Sequence, residues 1–514
     1  MPNRLGQIGL PLVAVLAIAG GAMAQAPDNK PLNVIDWLDE QTSAAPAPQP
    51  SEPDVANSGS VPTVSVAPLN SAAPQRVGLA PANVTGLPDG IWAGSDGAQL
   101  ARTVRDMPIL HLPALQSLYY TLLLAEAAPP RTSADAFDMA RIDALMDLGA
   151  LDPALALVEQ TGPDLNRAHF ARYTDMALLA GTESRACAIQ RAQPTLTPSE
   201  AHRVFCTARD GDWQTAVLVL GTARVLGMIP DTTAQALERF LDPDLFEDEP
   251  PLAVPAMPDP LLFRLYQAIG TPIPTRIWPL VYANADLSDT AGWKAQIEAA
   301  ERLARSGALP DNRLLGLYTQ RQPAASGGVW DRVAALQRFE TALGTRSPAA
   351  VAKTLPNAWQ QMRRARLAVP FANLFAADLS DIVLSGRTAD IAFEVLLLSS
   401  QYETAARTFP ARALQRPVLA AAASGEVRAD LSASGTAGAV LSGFRDAAPD
   451  ADIIAAAQSG RLGHALFDTL RLMDAGGKGD VAQLSTGLAT LRALGLEDVA
   501  RRAALQVLLL GPQS

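Results

Sequence analysis

The stretch "GDWQTA", residues 211–216, contains the spacing that decides the fold. A small residue is followed two positions later by a large apolar residue and five positions later by Ala. Glycine adopts the left-handed backbone that ends a helix, and Ala on the next helix allows two helices to cross closely. The stretch therefore predicts a helix–turn–helix joint, with Gly211 as the cap and Trp213 at the start of the second helix.

The same spacing recurs along the chain at irregular intervals, so the pattern is not an array of fixed period. A large apolar residue often stands at the second position after the small one, as Leu151, Trp213, Tyr402 and Leu462 do. "GDWQTA" also resembles the opening of a tetratricopeptide-type unit. Together these features predict an all-α fold of degenerate α-hairpin repeats stacked as a solenoid. The joints are Gly149…Ala154, Gly211…Ala216, Ser400…Ala405, Gly460…Ala465 and Gly495…Ala500.

Residues 290–306 show the clearest amphipathic pattern. Trp293, Ile297, Ala300 and Ala304 fall on one helical stripe. Gly307 follows where a C-terminal cap needs a positive φ. The i,i+4 pairs Glu298–Arg302 and Glu301–Arg305 are expected on the exposed side of this helix.

The N-terminus predicts an export signal, residues 1–24. Arg4 supplies a positive charge, an apolar stretch of residues 8–18 follows, and Ala22 and Ala24 form the small-x-small cleavage pattern. The apolar stretch is too short to span about 30 Å of hydrocarbon as a helix. We therefore expect cleavage after Ala24, no stable membrane anchor after cleavage, and a periplasmic or secreted protein.

Residues 25–40 contain "NVIDWLDE" (33–40), which predicts a short docking helix. Val34, Trp37 and Leu38, together with Ile35, share one side, and acidic residues occupy the other. Eight residues are too few to be helical alone, so the segment needs a groove that receives its apolar side chains. The groove can belong to another protein or to this chain itself, and a disordered segment is the remaining alternative.

Proline-rich composition predicts a disordered linker over residues 41–90. Helical patterns then follow one another in two blocks, 91–241 and 261–514. Between them, residues 242–260, "DPDLFEDEPPLAVPAMPDP", are rich in Pro and acid. This stretch is either a boundary between the blocks or a long surface loop within a continuous solenoid.

Cys187 and Cys206 are the only cysteines. In an oxidising compartment such a pair predicts a disulfide, which would stabilise the fold by about 3 kcal/mol. The residues 197–200, "TPSE", predict that Thr197 caps the helix carrying Cys206, so the two cysteines lie on consecutive helices. The alternative uses Cys187, His202 and Cys206 as metal ligands, although no spacing typical of a metal site supports it.

Composition and motifs argue against several chemistries. The formal net charge is −11, and an acidic protein without a basic stripe is a poor nucleic-acid binder. The sequence has no G-x-S-x-G segment and no Walker or Rossmann fingerprint. The four His residues stand in no recognised motif. We therefore expect no catalytic residues, no cofactor and no metal site.

The order of these parts resembles a family of exported alphaproteobacterial proteins that carries the name "antifreeze glycopeptide polyprotein". The resemblance rests on "GDWQTA", on "GWKAQIEAAERLARSGAL" (292–309) and on "GGVWDRVAALQRFETALG" (327–344), and it brings no active site. The name implies ice binding through sugar-bearing Ala-Ala-Thr repeats. This sequence has no such tandem tripeptide, so we reject ice binding.

These features predict an exported, non-catalytic scaffold or adaptor for another envelope or periplasmic protein. One alternative is a helical enzyme acting on a cell-wall polymer, which requires acidic side chains that converge in one deep pocket. Soluble lytic transglycosylases contain α-superhelices of this kind, but their catalytic segment is missing here. Another alternative is a periplasmic motility accessory protein, because the layout is similar to that of exported helical proteins of the flagellar motor.

Overall fold

The computed structural model describes residues 76–511. The regular structure in that range is helical, so the all-α prediction is confirmed for this part of the chain. Short 3-10 helices cover Pro194–Leu196, Asp244–Phe246, Thr275–Ile277 and Leu280–Leu287. The α-helices are α1 (Ala82–Thr85), α2 (Gly97–Arg105), α3 (Pro113–Leu124), α4 (Ala134–Asp147), α5 (Leu151–Thr161), α6 (Arg167–Ala180), α7 (Ser184–Ala192), α8 (Glu200–Arg209), α9 (Trp213–Val225), α10 (Asp231–Leu241), α11 (Pro260–Ala268), α12 (Trp293–Arg305), α13 (Asp311–Thr319), α14 (Val329–Gly344), α15 (Pro348–Arg364), α16 (Ala368–Ser380), α17 (Gly386–Leu398), α18 (Tyr402–Thr408), α19 (Pro410–Gln415), α20 (Pro417–Ser424), α21 (Gly435–Arg445), α22 (Ala451–Gln458), α23 (Leu462–Gly477), α24 (Val481–Ala493) and α25 (Glu497–Leu510).

The predictions for the N-terminus lie outside the described residues and stay predictions. They concern the signal peptide 1–24, the segment 25–40 and the linker up to residue 75. The residues named for them are Ala22, Ala24, Val34, Ile35, Trp37 and Leu38.

The helix–turn–helix joints lie where the spacing predicts them. The glycines at positions 149, 211, 460 and 495 all have a positive φ, whereas Ser400 takes the same place in its joint without one. Each joint is followed by a helix that begins two residues after the small residue. The Ala at the fifth position is buried in every joint, where close crossing of helices needs a small side chain. These residues are Ala154, Ala216, Ala405, Ala465 and Ala500.

The predicted disordered linker extends too far toward the helical body. Residues 76–90 pack on that body, and the amides of Leu79 and Ala80 donate to the Leu124 carbonyl over 2.8 and 3.0 Å. The buried guanidinium of Arg141 donates to the carbonyl of Val77. The prediction is wrong for residues 76–90 because composition does not reveal that this backbone finds hydrogen-bond partners at the end of α3.

Helices from the beginning and the end of the described chain contact each other. Helix α25 packs on α3, and α23 packs on α2 and α3. Trp92 stacks on Phe467 with ring centroids 5.8 Å apart, and the Gly463 amide donates to the Ile91 carbonyl. A Cβ atom at Gly463 would lie 2.5 Å from the Trp92 ring, so this approach requires glycine.

Residues 242–260 form a loop within one compact unit. Residues before and after the loop belong to the same buried core. The hydroxyls of Tyr266 and Tyr282 donate to the carbonyls of Ala253 and Pro258 over 2.6 and 2.7 Å. These contacts fit a surface loop and not a boundary between two separate helical blocks.

Helix α12 confirms the amphipathic helix predicted for residues 290–306, including the positive φ of Gly307. The sequence predicts Glu301 on the exposed side of the helix, but it is buried. Its side chain is only 3% exposed, because Tyr318 of α13 and Arg332 of α14 cover it and donate hydrogen bonds to it. The pair with Arg305 forms at 3.1 Å, but in a largely buried setting.

The other predicted pair on α12 does not form. Glu298 pairs with Lys294 at 3.7 Å. The guanidinium of Arg302 instead donates to the carbonyls of Thr275 and Trp278, both over 3.0 Å. Thr275 and Trp278 precede the helix in the sequence, so the pattern of residues 290–306 could not indicate these two acceptors.

Candidate functional site

The predicted disulfide between Cys187 and Cys206 is formed, with the two Cα atoms 5.1 Å apart. Cys187 lies on α7 and Cys206 on α8, the next α-helix along the chain. Because both sulfurs are bonded to each other, the alternative with His202 as a third metal ligand does not apply. Among residues 76–511, no group of three or more His, Cys, Asp or Glu side chains is placed to hold a metal ion.

The cap of α8 is Ser199 and not Thr197. Ser199 has an extended backbone, and its side chain accepts from the His202 amide at the start of the helix. The Thr197 hydroxyl is engaged elsewhere, since it donates to the Pro194 carbonyl over 2.8 Å. The helix therefore starts at Glu200, later than the sequence predicts.

His202 lies buried in the first turn of α8. Its Nδ1 atom is 2.8 Å from the Ser199 hydroxyl, and its Nε2 atom has no hydrogen-bond partner among the described residues. Burial lowers the pKa of His202 to about 4. The imidazole is therefore neutral over the physiological range.

Acidification from pH 6.5 to pH 4 is expected to destabilise the protein through His202. In this window the unfolded chain protonates His202, with an ordinary pKa of 6.5, whereas the folded protein with a pKa of about 4 does not. The free energy of unfolding falls by about 3 kcal/mol from this group, and the loss is complete below pH 4. The measurement is urea unfolding of wild type and His202→Gln at several pH values, with a flatter decline expected in the variant.

The carboxyl group of Asp175 acts with the opposite sign, so the informative quantity is the difference in unfolding free energy between wild type and His202→Gln. Burial raises the pKa of Asp175 to about 6, and the folded protein therefore gains stability from Asp175 as the pH falls from 6 toward 3.8. Both proteins contain Asp175. Parallel curves for wild type and His202→Gln would contradict the assigned role of His202.

Helix α9 follows the disulfide-linked helices and buries only a narrow stripe. It packs on α8 and α10. Ala216, Leu220 and Ala223, at the helical spacing i, i+4 and i+7, are its buried side chains. The small Ala residues permit the close approach to its neighbours that the joint spacing predicts.

The other side of α9 is apolar and exposed. Leu218 is 71% exposed and Val225 is 88% exposed. No charged residue stands between Asp212 and Arg224. A helix that is hydrophobic around its circumference is normally buried, and an exposed apolar patch marks an interaction site. We call this surface the α9 face; its members are Val217, Leu218, Val225, Leu226 and Met228.

Gly221 lies in the middle of α9, and no contact among the described residues requires a glycine at this position. Nothing lies within 4 Å of a Cβ atom added there, and its φ is not positive. Glycine in a helix interior costs about 0.5–1 kcal/mol relative to Ala. Because glycine has no side chain, the backbone of a second helix that crosses α9 at this point can come close to the backbone of α9.

An acidic loop follows α10, the helix that packs on α9. The ring of Trp213 contacts that of Phe240, with centroids 5.7 Å apart. The adjacent Arg239 holds the loop, because it lies over the Phe246 ring and pairs with Glu249 at 3.1 Å. Three exposed acids of this loop make no ion pair among the described residues; they are Asp244, Glu247 and Asp248.

A cavity of about 1080 Å³ is lined in part by α5, α8 and α11. The enzyme alternative requires acidic side chains that converge in one deep pocket, and Asp152, Glu183 and Asp286 all line this cavity. Two of its acids have partners, since Glu183 lies between two arginines and Asp286 accepts from the Thr275 hydroxyl. Asp152 makes no hydrogen bond or ion pair within the described part of the chain. The enzyme alternative therefore stays a prediction.

Of the predicted site residues, the structure brings the two cysteines together, and it reveals two features that the sequence did not predict. These are the α9 face and the arginine pair in the cavity. The α9 face had a signal in the sequence, namely the uncharged stretch 213–223. None of the helices in residues 76–511 is long and apolar enough to cross a membrane.

Comparison of the chain with protein-family models, with curated proteins and with solved structures finds no match.

Proposed function

We propose that this chain is an exported, non-catalytic adaptor that binds another envelope protein through the α9 face. The observation that carries the proposal is the exposure of Leu218 and Val225 on α9, a helix whose residues 213–223 carry no charge. Exposure of apolar side chains to water is unfavourable by about 25 cal/mol per Å², and burial against a partner removes that cost. The disulfide between α7 and α8 is consistent with export, because disulfides persist in oxidising compartments.

The partner segment is an amphipathic helix with an apolar stripe and basic residues near one end. The apolar stripe matches the α9 face, and Gly221 allows the two backbones to approach closely. The basic residues meet the acidic loop beside Trp213. Charge complementarity of this kind selects the partner and increases the association rate.

A stack of α-hairpins is the arrangement that we propose for the body. Consecutive helices pack as pairs, as α8 with α9, α14 with α15, and α16 with α17 do. In an open array each repeat contacts only its neighbours. The contact of α25 with α3 adds packing between distant helices, so the partner site proposed here lies on one helix and does not need a long open groove.

Substitution of Leu218 by Asp is expected to abolish partner binding while leaving stability unchanged within about 0.5 kcal/mol, because the side chain is already exposed. The measurement begins with chemical crosslinking in cells and mass spectrometry, which identify the partner. The purified partner is then titrated with wild-type protein and with Leu218→Asp, and we expect affinity to fall at least about tenfold.

The matched control is Leu414→Asp, because Leu414 is also exposed and lies on α19. Equal affinity of the partner for wild type and Leu218→Asp would contradict the proposal. The other molecule that could cover the α9 face is a second copy of this chain. A measurement of the molecular mass of the purified wild-type protein in solution tests for such a dimer. The variant Trp37→Ala/Leu38→Ala, measured beside these proteins, reports separately on the predicted docking segment 33–40.

A further inference from the structure

Glu183 is a buried carboxylate on the wall of the cavity. It precedes α7, its side chain is 2% exposed, and its backbone carbonyl accepts from the Cys187 amide over 2.9 Å. Burial of a carboxylate is costly unless cations or hydrogen-bond donors compensate it. Two arginines compensate Glu183, one from α8 and one from α11.

Arg209 and Arg264 share one oxygen of Glu183. The Nη2 atom of Arg209 is 3.3 Å from Oε1, and that of Arg264 is 3.6 Å from the same oxygen. The second oxygen, Oε2, is buried and has no hydrogen-bond partner. Two guanidinium groups beside one carboxylate carry a net charge of about +1, and the same cavity is also lined by Asp152, Asp286 and Arg313.

Both guanidinium groups remain accessible from the cavity. The side chain of Arg209 is 46% exposed and that of Arg264 is 33% exposed, and both line the cavity. Arg264 uses its other terminal nitrogen to donate to Gln267 over 3.1 Å. The cavity that both residues line, with a volume of about 1080 Å³, has room for a ligand.

The neighbouring wall of the cavity is apolar and rigidly held. Phe205 precedes the disulfide residue Cys206, and its ring lies 5.6 Å from that of Phe240. Leu179 ends the apolar part of α6 and also lines the cavity. The disulfide joins the helix that follows Glu183 to the helix that carries Arg209, so it limits how far these two helices can separate.

We propose that Arg209 and Arg264 form a binding site for an organic anion. Its carboxylate or phosphate group is bound by the two guanidinium groups, and its apolar part packs on Phe205 and Phe240. Planar guanidinium groups bind both anions through paired hydrogen bonds. Glu183 acts as the buried anchor that holds the two cations at the cavity wall. This site is independent of the α9 face.

The test is calorimetric titration of the full protein with three probes. N-acetyl-leucine carries a carboxylate beside an apolar group, and N-acetyl-leucinamide has the same shape without the charge. Hexyl phosphate presents the other anion. We expect binding of at least one anion with a Kd of about 1 mM or tighter and no binding of the amide. The anion that binds more tightly shows whether the natural ligand presents a carboxylate or a phosphate group.

Arg264→Gln is expected to weaken anion binding at least about tenfold, and Arg209→Gln is expected to have a similar effect. Each single variant leaves Glu183 with one arginine, and circular dichroism with a count of free thiols establishes that each one is folded. The control is Arg321→Gln, which changes an exposed arginine outside the cavity. The proposal is overturned if the amide binds as tightly as the acid, if neither anion binds at about 10 mM, or if both folded arginine variants bind like wild type.

Discussion

Replacement of Glu301 by Ala is expected to lower the free energy of unfolding by about 3–5 kcal/mol, because removal of one partner leaves buried charges uncompensated. Arg332 binds both oxygens of Glu301, over 2.7 and 2.8 Å. The Tyr318 hydroxyl donates to Oε1 over 2.6 Å, and Arg305 donates to Oε2 over 3.1 Å. These bonds join α12, α13 and α14 through one carboxylate.

The matched control for Glu301→Ala lies one turn earlier on the same helix. Glu298 is partly exposed and makes a single contact with Lys294 at 3.7 Å. Glu298→Ala is therefore expected to change stability by less than about 0.5 kcal/mol. Urea unfolding followed by circular dichroism measures both variants. A similar shift for the two would show that the network contributes no more than a surface ion pair.

Replacement of Arg141 by Ala is expected to cost about 3–5 kcal/mol as well. The side chain is fully buried and donates to the carbonyls of Leu123, Ala125 and Val77 over 2.8, 3.0 and 3.1 Å. Asp138 pairs with it at 3.2 Å. The variant leaves these carbonyls and one carboxylate without their donor inside the protein.

Arg141→Ala is also expected to release the backbone of residues 77–80 from the end of α3. The measurement is amide hydrogen exchange, in which the protection of Leu79 and Ala80 should fall more than that of α12. Arg105→Ala is the control, since Arg105 is exposed at the end of α2. Unchanged protection of Leu79 and Ala80 in Arg141→Ala would contradict the role assigned to this side chain.

Local spacing predicted the joints between helices because their causes are local. A glycine with positive φ, an apolar residue and an Ala act within six residues, as "GDWQTA" does. The environment of Glu301 was not predictable in this way. Its spacing to Arg305 is typical of an exposed ion pair, but Tyr318 and Arg332 come from later helices and bury it. Only tertiary packing determines which side of α12 is covered.

The residues of the candidate anion site were not predicted, because they too meet only through tertiary packing. Glu183, Arg209 and Arg264 come from three different parts of the chain, so no local pattern indicates that they meet. Trp213 starts a helix as predicted, and its side chain is 44% exposed, which the local spacing does not indicate. The disulfide was predictable because the cysteines are the only two and lie on consecutive α-helices.

The most direct test of the proposed adaptor role is photo-crosslinking in cells from position 218, where a benzophenone amino acid replaces Leu218. The same substitution at Leu414 provides a comparison site that is equally accessible. We expect a covalent product with one envelope protein from position 218 and none from position 414, with the linked residue on a helix that has an apolar stripe and basic residues. Identical products from both positions, or no product from position 218, would contradict the assignment of the α9 face as the partner site.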